Sequence, residues 1–374
     1  MTNSCGPTSI GGSRKNYQLK LYLRKQIMQE VLNHKNFPEK FISVEHLEDF
    51  MSMPSQALID DLAALEGDIA ILGVAGKMGV TLARMAKRAA PNKRIIGVAR
   101  FSDPQEKTKL ESWGIETITC DLLDRDAVNQ LPKIPNIIFM AGKKFGTEGE
   151  QELTWAMNTL VPAIVAEAFK DSRIVAFSTI HIYPGVSVLH RGSLDADPPF
   201  ARPGEYANSV VGRERMFQYF SKKYKTPGRI IRLSYSIDMR YGALQEIAKW
   251  VLNDEEIDLT TGHVNVIWQG DANSQILRCL RHCEVPSAPI NITSPEVVSV
   301  YDIANQFGKI FGKTPRFKGT EQNTIVVNGD LAADLFGYPN VPLKRMVSWI
   351  ADWVANEKPT IGKPSKFEVH TGKF

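Results

Sequence analysis

Cysteine is scarce in this chain and builds no framework. The 374 residues hold four cysteines, at positions 5, 120, 279 and 283. No two form a Cys-x-x-Cys pair, the spacing on which zinc ribbons and redox dithiols depend. The run Cys279-Leu280-Arg281-His282-Cys283 has no second half to complete a metal clip, and no metal is expected. Long apolar runs are also missing, so no segment reads as a bilayer span. Residues 1–12 are polar and rich in glycine and serine, without the apolar centre of a secretory signal. A cytoplasmic protein is the expectation. Strong charge of either sign is absent. The formal net charge is +4, and Lys143-Lys144 and Lys222-Lys223 are isolated pairs. Without a basic stripe interleaved with aromatics, nucleic acid is not an expected partner. Repeats and low-complexity linkers are lacking as well.

What remains is a globular composition, 43% hydrophobic and 23% charged. The length suits one large α/β domain or two sharing a core. Residues 1–16 read as disordered. Residues 17–66 read as a helical extension over 17–32, 44–51 and a segment capped by Ser55, an element of packing or dimerisation with no chemical motif. From Asp68 strands and helices alternate. Strands are predicted at 68–73, 94–99, 116–119, 136–140, 173–178 and 229–234. Helices are predicted at 78–89, 104–112, 125–130, 152–170 and 206–223. Such alternation implies a doubly wound parallel sheet, a Rossmann-type α/β fold over residues 67–235. Residues 236–374 read as a smaller mixed α/β lobe that binds substrate, with a C-terminal tail. Its predicted strands are 257–260, 264–267 and 290–293, and its helices 242–253, 271–283, 300–311 and 342–356.

The strongest chemical signal is the turn Gly73-Val74-Ala75-Gly76-Lys77-Met78-Gly79, set between an apolar strand and an apolar-periodic helix. A strand, a tight turn and a helix N-terminus present free N–H groups to an anion. Gly73 permits the turn, Gly76 lets a pyrophosphate approach, and Gly79 lets the helix pack closely. The second strand ends at Ala99-Arg100-Phe101-Ser102, with no acid to take both ribose hydroxyls. Arg100 can grip a 2′-phosphate, which favours NADP over NAD.

From about Asp68 to Trp353 the chain resembles the extended short-chain dehydrogenase/reductase superfamily, the NAD-dependent epimerase/dehydratase group. Asp121-Leu122 matches the element that contacts adenine. Ala141-Gly142 is similar to the Asn-Ala-Gly element after the fourth strand, and Asn158 matches a structural asparagine. Ser178-Thr179-Ile180-His181-Ile182-Tyr183 resembles the catalytic Ser/Thr segment, and Tyr206 begins the Tyr-x-x-x-Lys helix. Asn265 to Ala272 matches the strand that leads into a late helix. The resemblance implies that Thr179 and Tyr206 bind a reacting oxygen and that Ala75, Lys77, Met78 and Ser178 join the cofactor site. It also implies a homodimer paired through helices 152–170 and 206–223, with Trp155, Leu160, Val165, Met216 and Phe217 divided between core and interface.

The departures from that pattern are specific. Val210 stands where the family has its lysine, which there holds the nicotinamide ribose and lowers the tyrosine pKa. A phenol near its ordinary pKa of about 10 is a poor base at neutral pH. Arg213 lies on the same helix face as Tyr206 and is expected in a solvated or ion-paired state. The acidic pair of sugar 4,6-dehydratases is replaced by Ile180 and His181, which argues against that dehydration and leaves His181 as a candidate base. After the sixth strand, Asp238, Arg240 and Tyr241 are candidate substrate contacts, with Gln269 beside them. Asp271 either faces the same crevice or caps its helix. The expected activity is NAD(P)-dependent hydride transfer on a sugar-like substrate, by an oxidoreductase or epimerase. The alternative is a non-catalytic dinucleotide sensor or scaffold.

Overall fold

Four consecutive aliphatic residues, Ile69–Leu72, make strand β1, and all four are buried. A strand apolar on both sides needs cover on both sides. The computed structural model supplies it, and describes Met1 and residues 30–146, 149–200, 203–321 and 324–368. Side chains alternate across a strand. Ile69 and Ile71 therefore pack with helices Gln56–Ala63, Gly79–Ala89 and Gln269–Arg278. Ala70 and Leu72 pack with Arg125–Gln130, Val161–Ala168 and Glu205–Tyr224 on the other face.

The further strands are β2 (Ile95–Ala99), β3 (Glu116–Thr119), β4 (Asn136–Phe139), β5 (Arg173–Thr179) and β6 (Gly228–Leu233). All pairings in this sheet are parallel. The order is Ala288–Ile292, β6, β5, β4, β1, β2, β3. Strand order reverses between β1 and β4, which opens a crevice at their carboxyl ends.

The boundary read at residue 235 does not divide the chain cleanly. The strand predicted at 290–293 is Ala288–Ile292, and it extends the main sheet beside β6. Helix Gln269–Arg278 also returns to the main sheet's face. Both carry apolar residues that only a second crossing of the core can cover.

After a short 3-10 turn at His34–Asn36, the α-helices of the described extension run over Val44–Met51 and Gln56–Ala63. Ser43 and Ser55 cap them, accepting at 3.2 Å from the N–H groups of His46 and Leu58. Phe41 and Phe50 join Trp268, Trp349 and Trp353 in the core of the C-terminal lobe. Leu32–Phe374 is one compact unit. Met1–Val31 is another, of which Met1, Glu30 and Val31 are described. The disorder read over 1–16 and most of the helix read over 17–32 thus fall outside the described residues.

The helix read over 152–170 runs over 151–168 and contains a π-helical turn. Gln151–Trp155 is followed by a π-helical turn, Ala156–Leu160, and then by Val161–Ala168. Of the candidate interface residues on these helices, Val165 and Phe217 are core. Trp155 and Leu160 are exposed. No helix among the described residues is long and apolar enough to cross a membrane.

Candidate active site

The glycine turn lies at the centre of the crevice. Gly73 has φ of +90°, a conformation side chains rarely adopt, and a Cβ on it would stand 2.7 Å from the backbone nitrogen of Ala141. A Cβ on Gly79 would meet the Val74 carbonyl oxygen at 2.2 Å, so the helix start is pressed onto the turn itself. Helix Gly79–Ala89 has no side-chain cap and no acid in its first turn. Its free N–H groups and positive dipole end are left for an anion.

Two hollows, of about 660 and 400 Å³, open on either side of this turn and share Gly73, Ala75, Gly76, Glu106, Met140 and Gly142. The smaller is lined by Arg100, Ser102, Asp121, Leu122 and Ala141, with Ala99 and Met157. The larger holds Lys77, Met78, Ser178, Thr179, His181, Tyr206, Arg240 and Tyr241. The structure thus gathers most of the sequence-predicted positions around one continuous crevice. A dinucleotide fits this shape: its diphosphate at the turn, one nucleoside in each hollow.

Thr179 ends β5, and its hydroxyl accepts from the backbone N–H of His181 at 3.3 Å. A side-chain hydrogen bond joins it to Tyr206. His181 is buried, with its ring centroid 6.3 Å from Tyr206 and 6.0 Å from Tyr235. Burial pushes the Tyr206 phenol above its usual pKa, while nearby Arg213 and the Thr179 hydrogen bond pull it back.

Arg213 is neither solvated nor ion-paired as expected. It reaches into the cavity wall, where its guanidinium donates to Asn158 Oδ1 at 2.6 Å and to the Phe177 carbonyl at 3.0 Å. The π-helical turn aims Asn158 inward, where its Nδ2 also donates to Ser209 Oγ at 2.9 Å. Burial lowers the Arg213 pKa to about 10. Gly142 leaves room for this guanidinium, since a Cβ there would lie 2.2 Å from its Nη2. Val210 is fully buried with Ile180, Ile182 and Tyr183.

Arg240 is held on two sides. It donates to both carboxylate oxygens of Asp238, at 2.7 to 3.2 Å, and through Nη1 to Glu48 Oε1 at 2.9 Å. Asp238 is fully buried behind it and does not line the cavity. Gln269 is also away from the crevice. It lies buried against helix Gly79–Ala89, donating to Thr81 Oγ1 at 3.2 Å, because the first turn of its own helix faces that neighbour. Asp271 neither faces the crevice nor caps its helix. It accepts from Asn340 Nδ2 and the Val341 N–H, both at 2.9 Å.

Several cavity residues escaped the sequence reading. Glu48 enters from the N-terminal extension, and Lys109 from helix Pro104–Ser112 pairs with it. Ile361, Lys363 and Ser365 enter from the C-terminal segment, and Lys144 Nζ donates to the Ser365 carbonyl at 3.2 Å. None sits in a motif, so no local signal marked them.

Residues 69–237 match the model of the NAD-dependent epimerase/dehydratase family. No curated protein sequence is significantly similar to the chain. Among solved structures, UDP-glucuronic acid 4-epimerase from Bacillus cereus, in complex with NAD, is 20% identical with a TM-score of 0.65, covering 78% of this chain and 99% of its own. UDP-glucose 4-epimerase from Thermotoga maritima, with UDP-glucose, is 14% identical with a TM-score of 0.64 over the same shares. An epimerase from Methanothermobacter thermautotrophicus is 15% identical with a TM-score of 0.65, covering 81% of this chain and 96% of its own. At these identities the likeness establishes the fold.

Proposed function

We propose that this chain, whose residues 69–237 match the NAD-dependent epimerase/dehydratase family model, is an NAD(P)-dependent epimerase or oxidoreductase of a nucleotide sugar. The observation that carries this reading is the paired hollow. An uncapped helix N-terminus lies between a nucleoside-sized pocket and a larger one that contains the hydrogen-bonded pair Thr179 and Tyr206. The names of the neighbours, epimerases of UDP-glucuronic acid and UDP-glucose, supply the substrate class.

The chemistry that a nicotinamide would supply in this cavity is reversible hydride transfer with a substrate carbon. The turn from Gly73 to Gly79 would hold the diphosphate, and Asp121, Leu122 and Ala141 the adenine side. Thr179 orients the reacting hydroxyl, and Tyr206 exchanges its proton. Arg213 stands in for the absent lysine as the positive charge near the phenol. His181, buried beside Tyr206, is a second candidate for the proton. Asp238 acts by fixing Arg240 rather than by touching substrate, and Tyr241 forms part of the wall. Exposed Leu153, Trp155 and Leu160 support a homodimer paired on that face.

The test is direct incubation of the purified chain with UDP-glucose or UDP-glucuronic acid and either dinucleotide. Chromatographic detection of the 4-epimer, or absorbance of reduced nicotinamide, supports the reading. Dinucleotide binding with no turnover on any nucleotide sugar would favour a sensor.

NADP is the preferred cofactor in this reading. Arg100 lines the smaller hollow and no acid occupies the Ala99 position. Arg100→Asp is expected to weaken NADP about tenfold or more and to change NAD by less than about twofold, measured by titration calorimetry. Equal loss for both would remove the argument for NADP.

A further inference from the structure

Lys77 belongs to the glycine turn, yet its side chain leaves the turn. Its amine donates to the Ser236 carbonyl at 3.3 Å and stands 3.9 Å from the centroid of the Tyr241 ring. Both partners follow β6, in the substrate half of the crevice, and neither bears a formal charge. Three carboxylates stand near this part of the cavity, and Glu106 lies among Asp103, Lys109 and Glu48 rather than against Lys77. Asp238 is bound by Arg240, and Glu48 is divided between Arg240 and Lys109. Lys77 adds an amine beside these groups. Among the described residues no ion pair answers it. Lys144 and Lys363 line the same wall, as does Lys143, which is paired with Glu150.

An ammonium without an ion-pair partner in such a place gives up its proton more readily than in water. Burial lowers the Lys77 pKa to about 7; Arg240 and Lys144 push it the same way, while Asp238 opposes. Arg240 is pinned by Asp238 and Glu48, so its charge has a set position.

We propose that Lys77, beside the pinned Arg240, forms an anion subsite in the substrate half of the cavity, separate from the backbone cradle of the turn, that takes a carboxylate or phosphoryl oxygen of the substrate. This rests on the reading that the larger hollow holds substrate. An anion bound there restores the ammonium, so binding takes up a proton above about pH 7 and weakens as pH rises further. Well below that pH the amine is already charged and the linkage vanishes.

Calorimetric titration of the dinucleotide-loaded full chain tests this, with UDP-glucose and UDP-glucuronic acid as probes at about pH 6.5 and about pH 8.5. Wild type is expected to lose roughly tenfold in affinity between the two and to take up protons at the higher pH. Lys77→Met should bind about tenfold more weakly at the lower pH and show no proton uptake. Lys77→Arg should keep the affinity at both, because its charge does not titrate. Loss confined to UDP-glucuronic acid assigns the subsite to a carboxylate; equal loss for both probes assigns it to a phosphoryl group. If Lys77→Met weakens NAD or NADP as much as the sugar nucleotides, the amine serves the cofactor and the proposal falls. If wild type binds dinucleotide but neither sugar nucleotide, the nucleotide-sugar reading fails on its own. Inorganic pyrophosphate titrated into the loaded protein then decides: binding that Lys77→Met abolishes upholds the subsite, and no binding overturns it.

Discussion

Tyr206→Phe is expected to lower turnover by about 10²–10⁴-fold while leaving dinucleotide affinity within about twofold. The phenol is the group in the larger hollow joined by a hydrogen bond to Thr179, and phenylalanine keeps its shape without the proton. Burial raises its pKa, so at neutral pH it is protonated and holds the proton that a substrate oxygen would take. Oxidation of an alcohol needs the reverse transfer. The rate in that direction should therefore climb with pH into the alkaline range. Val210 offers no charge to ease this, being sealed in an apolar cluster. Arg213 is the cation that lowers the phenol's pKa, from a guanidinium fixed by Asn158 and the Phe177 carbonyl. Arg213→Met should move the alkaline limb to still higher pH. Profiles of kcat against pH for the wild type and the two variants would show it. Full turnover by Tyr206→Phe would dismiss the phenol from the reaction, and attention would pass to His181.

Glu214→Leu is expected to cost about 3–5 kcal/mol of stability. Glu214 and Arg232 are 1% and 2% exposed, and Arg232 donates to both carboxylate oxygens, at 3.1 and 2.9 Å. The same guanidinium donates to Tyr183 Oη at 2.6 Å and to the carbonyls of Asp195 and Asp197 at 3.0 Å. Removing the carboxylate leaves this charge buried without the direct ion pair that now holds it. Ser178 would also lose its acceptor, since its hydroxyl donates to Glu214 Oε1 at 2.5 Å. Ser178 precedes Thr179, so the damage should reach the cavity as well as the core. Urea unfolding of both proteins would measure the difference. A midpoint unchanged from wild type would mean that Arg232 finds other compensation.

Helices Pro104–Ser112, Arg125–Gln130 and Val300–Phe311 have the bounds read from the sequence. Each carries its own start signal, Asp103, Asp124 or Ser299, whose side chain accepts from the first turn. Capping and periodicity act over a few residues, so they can be read locally. The π-helical turn at Ala156–Leu160 was not legible, because it answers to Asn158 meeting Lys143, Ser209 and Arg213 from other elements. Gln269 was misread for a related reason. Its sequence position at a strand end suggested the crevice, but the direction of its side chain depends on where helix Gly79–Ala89 packs.

By itself the sequence determined the glycine turn, the six leading strands and the cluster of Thr179, His181 and Tyr206. These are set by backbone sterics, by alternation of burial and by spacing within short segments. Tertiary structure alone decided that Ala288–Ile292 joins the main sheet, that Arg213 faces the cavity, and that Glu48 meets Arg240 from 192 residues away. Charge pairing and burial depend on which distant segments share a space, and no local pattern encodes that.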